Sequence, residues 1–193
     1  MNTPEMKRFT DLPYTRPDME ALKTAFKKAE QQFEAAHSAT EQIALIDEVQ
    51  KLKSHYQTMQ TLAEIRHSID TRDAFYDAEN TFFDESNPFY IEMTNSFNKK
   101  LLASSFRLDL EKEFGSHIFA MTELDMKVFS PSIMEDLAEE NKLTSSYDKL
   151  IASAEIEFAG EKRTLAQLTP FMQDQDRATR EKAAKAYYGF FAG

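Results

Sequence analysis

The histidines of this sequence, with the acidic residues near them, are the side chains best suited to hold a catalytic metal ion. Zinc hydrolases most simply use two histidines four residues apart, with a glutamate base directly after the first, in the pattern H-E-x-x-H. The four histidines are His37, His55, His67 and His117, and each is followed by a residue other than Glu. The motif is therefore absent from these 193 residues.

Two shorter E-x-x-H pairs are present, Glu34/His37 and Glu64/His67. Di-iron helical bundles use two such pairs and two further Glu residues, all facing the interior, so a carboxylate-bridged metal protein is one alternative. However, Glu34 and His37 fall on the charged side of their predicted helix, and Glu64 lies outside the apolar stripe of the next helix. We interpret both pairs as solvated helix faces, and we predict no catalytic, cofactor-binding or metal-binding residue in this chain.

Other charged groups are better explained by structure than by chemistry. Arg66 and Asp70 are spaced i, i+4, which predicts an ion pair at the end of a helix that Asp70 stops. The acidic pairs Asp84-Glu85 and Glu139-Glu140 are typical of solvated surface or helix caps. With only 4 Gly, phosphate-binding glycine loops are nearly excluded.

The composition predicts an acidic globular protein rich in helix. Hydrophobic residues make up 41% of the chain, and the formal net charge is −10. This charge disfavours nucleic acid and anionic membranes as partners, since no basic run offsets it. Cysteine is absent, and the N-terminus lacks the apolar core of a signal peptide. We therefore expect a cytoplasmic protein that contacts neither membrane nor nucleic acid.

Apolar stripes predict two long helices in the first third of the chain. The first stripe recurs at steps of three and four, with Pro17 expected as the first helical residue. The second helix is predicted from Ser38 to Asp70, with Ser38 and Glu41 as a capping box. Its far end is expected to be buried on more than one side, because Leu62, Ile65 and Ile69 extend the stripe to a second face. The members of the two stripes are Met19, Leu22, Phe26, Ala29, Phe33, Leu45, Val49, Leu52, Tyr56, Met59 and Ala63.

Further helices follow, separated by polar caps and by proline. Asp70 and Thr71 are expected to cap the third helix, and Pro88 to kink or briefly break it. Another helix is predicted from Ile118 to Val128. Ser130-Pro131 has the pattern of a fresh helix start.

One β-hairpin is predicted near residues 154–164, where apolar and polar residues alternate around Ala159-Gly160. A single helical turn, Leu165 to Leu168, and a capped last helix should follow it. The fold class is therefore mostly α, with long antiparallel amphipathic helices and one small hairpin. We expect residues 1–193 to form a single helical region, with a helical body over about 1–150 and the hairpin plus last helix over about 151–193.

The last helix runs into four aromatic residues, which we call the C-terminal aromatic cluster: Tyr187, Tyr188, Phe190 and Phe191. Left in water, these rings would forfeit several kcal/mol of burial energy, at roughly 1.5–3 kcal/mol per ring. Two interpretations stay open. The rings fold back onto the same body, or they meet a partner that this chain does not contain.

Three segments of the sequence resemble a known family in their residues, and not only in their apolar periodicity. They read RFTDLPYTRPDMEAL at residues 8–22, TLAEIRHSIDTRDAFYDAEN at 61–80 and EENKLTSSYDKLIASAEIEFAGEKRTLAQLTPFMQDQDRATREKAAKAYYGFF at 139–191. In this order they resemble oligoendopeptidase F and its close bacterial relatives, among the thimet-oligopeptidase-like zinc metallopeptidases. The likeness spans nearly the whole chain but only the N-terminal third of family members, whose H-E-x-x-H helix and third zinc ligand, a Glu, come later.

The resemblance implies a cytoplasmic family that cleaves short peptides, with zinc polarising the scissile carbonyl and a glutamate activating water. It implies that this chain is a non-catalytic wall of an enclosed cleft, inactive alone, while zinc belongs to the catalytic part. The expected partner is that catalytic domain, reached through the C-terminal aromatic cluster, with short peptides as substrates of the full enzyme. A stand-alone helical interaction module is the first alternative, and the carboxylate-bridged metal protein is the second.

Overall fold

The computed structural model describes residues 8–128 and 131–192, which form two compact units, one up to Glu139 and one from Glu140 onward. The described residues contain eight α-helices and one two-stranded antiparallel sheet, which confirms the predicted fold class. In chain order the elements are α1 (Met19–Ala35), α2 (Ala39–Ile69), α3 (Ala74–Leu102), α4 (Arg107–Phe114), α5 (Ser116–Val128), α6 (Met134–Ala152), β1 (Ile156–Phe158), β2 (Glu161–Arg163), α7 (Leu165–Met172) and α8 (Arg177–Gly189).

Helices α1, α2 and α3 form an up-down-up bundle in the first unit. The connections between them are short, residues 36–38 and 70–73, so that consecutive helices are antiparallel. At the end of α1 the Phe33 ring lies 5.2 Å from the Phe97 ring near the end of α3. Helices α1 and α3 therefore run in the same direction, with α2 opposite to both.

Aromatic rings fill the core between these helices. The Tyr56 ring of α2 stacks on Tyr90 of α3 at 4.1 Å and meets Phe83 edge-on at 5.4 Å. The Tyr56 hydroxyl lies 3.1 Å from the Ser86 hydroxyl, so its polar atom has a partner inside the core. Most of the predicted stripe is buried, as the sequence indicates. The core members from the two stripes are Leu22, Phe26, Ala29, Phe33, Val49, Tyr56, Met59 and Ala63.

Polar side chains, rather than apolar stripes, fix where the first two helices begin. Helix α1 begins one residue after Asp18, whose carboxylate accepts hydrogen bonds from the backbone N–H groups of its first turn at 3.0 Å. Pro17 therefore precedes the helix, and its expected place as first helical residue is wrong. Ser38 caps α2 as predicted by accepting from Glu41 N, whereas the Glu41 carboxylate accepts from His37 N instead of Ser38 N.

The far end of α2 is buried on one side only. Ile65 and Ile69 are 42% and 71% exposed, so the expected second buried face is wrong. Of the three residues predicted to form that face, Leu62 alone is buried, and Asp70 ends the helix as its C-cap.

Helix α3 begins at a different cap from the one predicted, and the brief break expected at Pro88 is absent. Its N-cap is Asp73, which accepts from Phe75 N at 2.9 Å, and not Asp70 or Thr71. The helix runs through Pro88 without a break. Pro88 is fully buried in the core, and this packing offsets the hydrogen bond that its missing N–H cannot donate.

Helices α4 and α5 complete the first bundle. They are separated by Gly115 at φ +84°, a conformation that a side chain would strain. Helix α5 begins at Ser116, two residues before the predicted start, and buries Phe119. Ser130 of the predicted helix start lies outside the described residues. Pro131 belongs to a short 3-10 helix, Pro131–Ile133, directly before α6.

The second unit holds the hairpin and the last two helices. Phe158 pairs with Glu161 across Ala159 and Gly160, which confirms the predicted turn. Helix α7 is longer than the single turn predicted, because it continues through Pro170 to Met172. A capping box between Thr164 and Gln167 satisfies two backbone donors in its first turn and stabilises the helix N-terminal to the proline.

In the described part of the chain, none of the helices combines the length and apolar character needed to span a bilayer.

Candidate functional site

The E-x-x-H residues do not come together. Within residues 8–128 and 131–192, the structure contains no group of three or more His, Asp or Glu that could hold a metal ion. Glu34 pairs with Lys100, and His37 is exposed at the end of α1. Glu64 is exposed on α2 and accepts a hydrogen bond from Gln60 Nε2 at 2.9 Å. The solvated faces predicted for these three side chains are therefore observed.

His67 is different, because it is only 5% exposed. Its Nε2 atom lies 3.3 Å from Oδ1 of Asp77, so it links the end of α2 to the start of α3. The prediction that this residue belongs to a solvated face is wrong. The signal was present in the sequence: His67 lies four residues after Ala63 and eight after Met59, on the buried stripe.

Arg66 holds the N-terminal arm and makes no ion pair with Asp70, contrary to the prediction. Its guanidinium donates to the carbonyl of Leu12 at 2.6 Å and to the Tyr76 hydroxyl at 2.7 Å. The Asp70 carboxylate accepts instead from the backbone N–H of Arg72 at 3.0 Å. Arg66 prefers the arm because it can satisfy several carbonyl oxygens there at once.

Glu79 is the second anchor of the arm, and sequence reasoning did not single it out. This buried carboxylate accepts hydrogen bonds from the Tyr14 hydroxyl at 2.5 Å and from Arg16 in a bidentate pair, the shortest at 2.6 Å. The Arg16 hydrogen bonds lower the pKa of Glu79. Burial and the bond to Glu79 raise the pKa of Tyr14. The arrangement is an ion-pair clamp rather than an acid–base site, because the carboxylate is saturated with donors.

The acidic pairs occupy the places predicted for them. Glu85, Glu139 and Glu140 are exposed, and Asp84 is partly exposed. Helices α3 and α6 carry them on their outer faces.

The C-terminal aromatic cluster has features of a docking surface. Helix α8 begins at the Asp176 cap, which accepts from Thr179 N at 2.9 Å, and buries Ala183 in the second unit. The cluster comes at its other end. Tyr188 is 63% exposed and Phe191 47% exposed, while Tyr187 and Phe190 are partly buried.

The rings of the cluster contact one another. The Tyr187 ring lies 5.2 Å from Tyr188 and 5.8 Å from Phe191, and the Phe190 ring lies 5.3 Å from Phe191. None of the four is fully buried, so the interpretation that they fold into the body of this chain is not what the structure shows. A contiguous exposed patch of large apolar side chains is typical of an interaction surface.

Comparison with known proteins identifies the family. Residues 9–129 match the profile of the peptidase M3 N-terminal domain. Among solved structures, PZ peptidase A with an inhibitor is 45% identical, with a TM-score of 0.93 over 96% of this chain and 33% of that chain. An oligoendopeptidase F structure from Bacillus anthracis str. Ames is 44% identical, with a TM-score of 0.91 over 95% of this chain and 34% of that chain.

A further structure described as oligoendopeptidase F is 44% identical, with a TM-score of 0.94 over 97% of this chain and 33% of that chain. No curated protein matches. The chain thus spans about a third of the length of the structures it matches. Both the matched profile and the shared fold at this identity lead to one conclusion: the chain belongs to the peptidase M3 N-terminal domain family.

Proposed function

We propose that this chain is the non-catalytic N-terminal part of a zinc metallopeptidase that hydrolyses short peptides, and that it forms one wall of the substrate cleft. One observation carries the proposal: the chain superposes closely on a third of three solved chains, described as PZ peptidase A or oligoendopeptidase F. The proposal treats residues 1–193 as one N-terminal region, with a helical body to about 150, and places the enzyme in the cytoplasm.

Zinc does not fit the described residues of this chain. A catalytic zinc site needs three protein ligands and an open position. The described His, Asp and Glu side chains offer no such group, and His67 and Glu79 are already engaged by Asp77 and Arg16. In this proposal the metal and its chemistry belong to the remaining two thirds of the enzyme, and this chain contributes shape.

The contact with that catalytic part is assigned to the C-terminal aromatic cluster. Its exposed rings, Tyr188 and Phe191, support this assignment because each would bury substantial apolar area against a partner. The stand-alone interaction module rests on the same rings. Light scattering distinguishes the enzyme part from the stand-alone module. A module that self-associates through the cluster would form dimers at micromolar concentration, whereas the N-terminal part of an enzyme is expected to remain monomeric.

A chimera tests the proposal. In it, this chain replaces the matching third of PZ peptidase A, whose fold it shares at 45% identity. We expect the chimera to hydrolyse a fluorogenic short peptide. Tyr188→Ser with Phe191→Ser should lower its melting temperature and reduce turnover at least about tenfold, because two buried aromatic contacts are worth several kcal/mol.

The matched control replaces two other exposed apolar residues, Leu108→Ser with Ile69→Ser, which are 75% and 71% exposed. This double variant should leave turnover unchanged. A chimera that folds, as judged by circular dichroism, but hydrolyses no peptide would contradict the proposed wall. Equal losses in both double variants would contradict the assignment of the interface.

A further inference from the structure

A groove of about 390 Å³ opens between α1 and α3, within the first unit. This volume is within the range of roughly 300–1,000 Å³ typical of ligand pockets. Its walls are mainly apolar, and Phe89 stands out because it is 57% exposed although its neighbours in the sequence, Pro88 and Tyr90, are buried. The apolar lining residues are Met19, Phe82, Phe89 and Met93.

The charged residues around this groove are mostly acidic. Glu20, Glu85 and Glu92 line it, against a single cation, Lys23. The carboxylates of Glu20 and Glu92 make no hydrogen bond or ion pair with any residue that the structure describes. They lie on the two opposite walls of the groove, one on α1 and one on α3.

Arg16, four residues before Glu20 in the chain, is paired elsewhere and does not neutralise these carboxylates. Arg16 is bound in a bidentate pair to Glu79, and it covers one face of the Phe82 ring at 4.8 Å from the ring centre. The polar group in the groove wall is also satisfied, since the buried Ser86 hydroxyl meets Tyr56 at 3.1 Å. The groove therefore offers apolar contact and an excess of negative charge, with three glutamates against one lysine.

These properties fit a positively charged, partly apolar occupant. An anion would be repelled by the excess of glutamates over the single lysine, and a neutral apolar group would leave Glu20 and Glu92 without a charged partner. An arginine or lysine side chain places its methylene stem on apolar surface and its charge beside carboxylates. The exposed Phe89 ring adds a favourable face for a cation. The net charge of −10 attracts the same class of ligand from solution.

We infer that the groove between α1 and α3 binds a basic residue of a peptide, with a large apolar neighbour of that residue against Phe89 and Met93. The inference rests on the proposed function in taking a peptide as the ligand. It adds that the N-terminal part selects peptides by charge through Glu20 and Glu92.

Fluorescence polarisation on the full chain tests this directly. The probe is a coumarin-labelled pentapeptide amide, Ala-Leu-Arg-Ala-Ala, compared with the same peptide in which citrulline replaces Arg. Citrulline has nearly the same shape without the charge. We expect the arginine peptide to bind about 3- to 10-fold more tightly at low salt, as two exposed charge pairs allow, with the ratio falling at high salt.

Variants locate the binding. Glu20→Gln with Glu92→Gln should remove the preference for arginine over citrulline. The control, Glu139→Gln with Glu140→Gln, changes the net charge equally at exposed positions far along the chain and should retain the preference. Phe89→Ser should weaken both peptides, whereas Leu108→Ser, at a more exposed apolar position, should weaken neither.

Equal binding of the two peptides by the unmodified chain would overturn the inference. So would equal losses in the groove and control variants, because the attraction would then come from net charge alone. An active chimera whose preference for arginine peptides is unaffected by Glu20→Gln with Glu92→Gln would overturn the inference and leave the proposed function intact. A chimera that folds but is inactive, while the isolated chain still binds the arginine peptide more tightly, would overturn the proposed function and leave the inference intact.

Discussion

Glu79 is one of the two polar anchors of the N-terminal arm, together with Arg66. Its carboxylate is buried and accepts hydrogen bonds from Tyr14 and Arg16, which lie 63 to 65 residues earlier in the chain. A buried carboxylate with charged donors is costly to unpair, since hydrogen bonds to charged groups contribute about 1.5–3 kcal/mol. The arm is therefore held on α3 by this side chain as well as by Phe9, Leu12 and Tyr14, which pack against the core.

Glu79→Gln should lower the free energy of unfolding by about 2 kcal/mol at pH 7. Because Arg16 lowers the pKa of Glu79 in the folded chain, the stabilisation is fully present above the usual glutamate pKa of about 4.3. It is lost as the pH falls through the lowered pKa. Urea unfolding from pH 7 to pH 2.5 should show the difference between variant and parent shrinking towards zero at the acidic end.

Glu92→Gln is the matched control, because Glu92 is an exposed glutamate on the same helix. It should change the free energy of unfolding by less than about 0.5 kcal/mol at any of these pH values. A Glu79→Gln difference that stays constant with pH would show that the carboxylate is not ionised and paired in the folded chain.

At this scale the sequence predicts poorly which polar residues are buried. Arg66 and Asp70 have the right spacing for an ion pair, yet Arg66 binds the carbonyl of Leu12, 54 residues away. The spacing of His67 from Met59 and Ala63 places it on the buried stripe of α2. Its carboxylate neighbour Asp77, however, could not be inferred without knowing how α2 packs against α3. Contacts that cross between elements depend on tertiary packing, which local spacing does not encode.

Among the secondary-structure elements, the β-hairpin contains an unusual backbone conformation. Both turn residues have positive φ, +56° at Ala159 and +82° at Gly160, as a two-residue turn of the mirror-image type requires. Glycine adopts this conformation freely, but alanine does so at a cost of roughly 1–2 kcal/mol. The second unit therefore stores strain at a single position.

Ala159→Gly should raise the free energy of unfolding by about 0.5–1 kcal/mol, because relief of the strain exceeds the added entropy of the unfolded chain. Thermal melting followed by circular dichroism measures the effect. The control is Ala184→Gly within α8, where ordinary helical backbone predicts a loss of about 1 kcal/mol. If Ala159→Gly destabilised the chain as much as the control, the turn would not have the backbone described.

The helices themselves follow from the sequence far better than their ends do. The apolar stripe of α1 and the capped start of α2 are periodic, local signals. The starts of α1 and α3 depend instead on which of several nearby carboxylates acts as the N-cap. In the structure these are Asp18 and Asp73. The continuity of α3 through Pro88 depends on burial of that residue, which is a property of the assembled core.

For the whole molecule, the decisive relation is between the size of the chain and that of its structural relatives. The chain matches about a third of each of them, and the profile it matches is that of an N-terminal domain. The sequence could predict the family and the absent H-E-x-x-H motif. It could not predict the groove between α1 and α3, because its walls are residues far apart in the chain that only the bundle brings together.

The central claim is that this chain supplies shape and contacts to a zinc peptidase while another part supplies the chemistry. The most direct measurement is zinc content and turnover of a fluorogenic short peptide, made in parallel on the isolated chain and on the chimera with PZ peptidase A. The account predicts no stoichiometric zinc and no turnover for the isolated chain, and one zinc ion with peptide hydrolysis for the chimera. Zinc-dependent turnover by the pure isolated chain would contradict it.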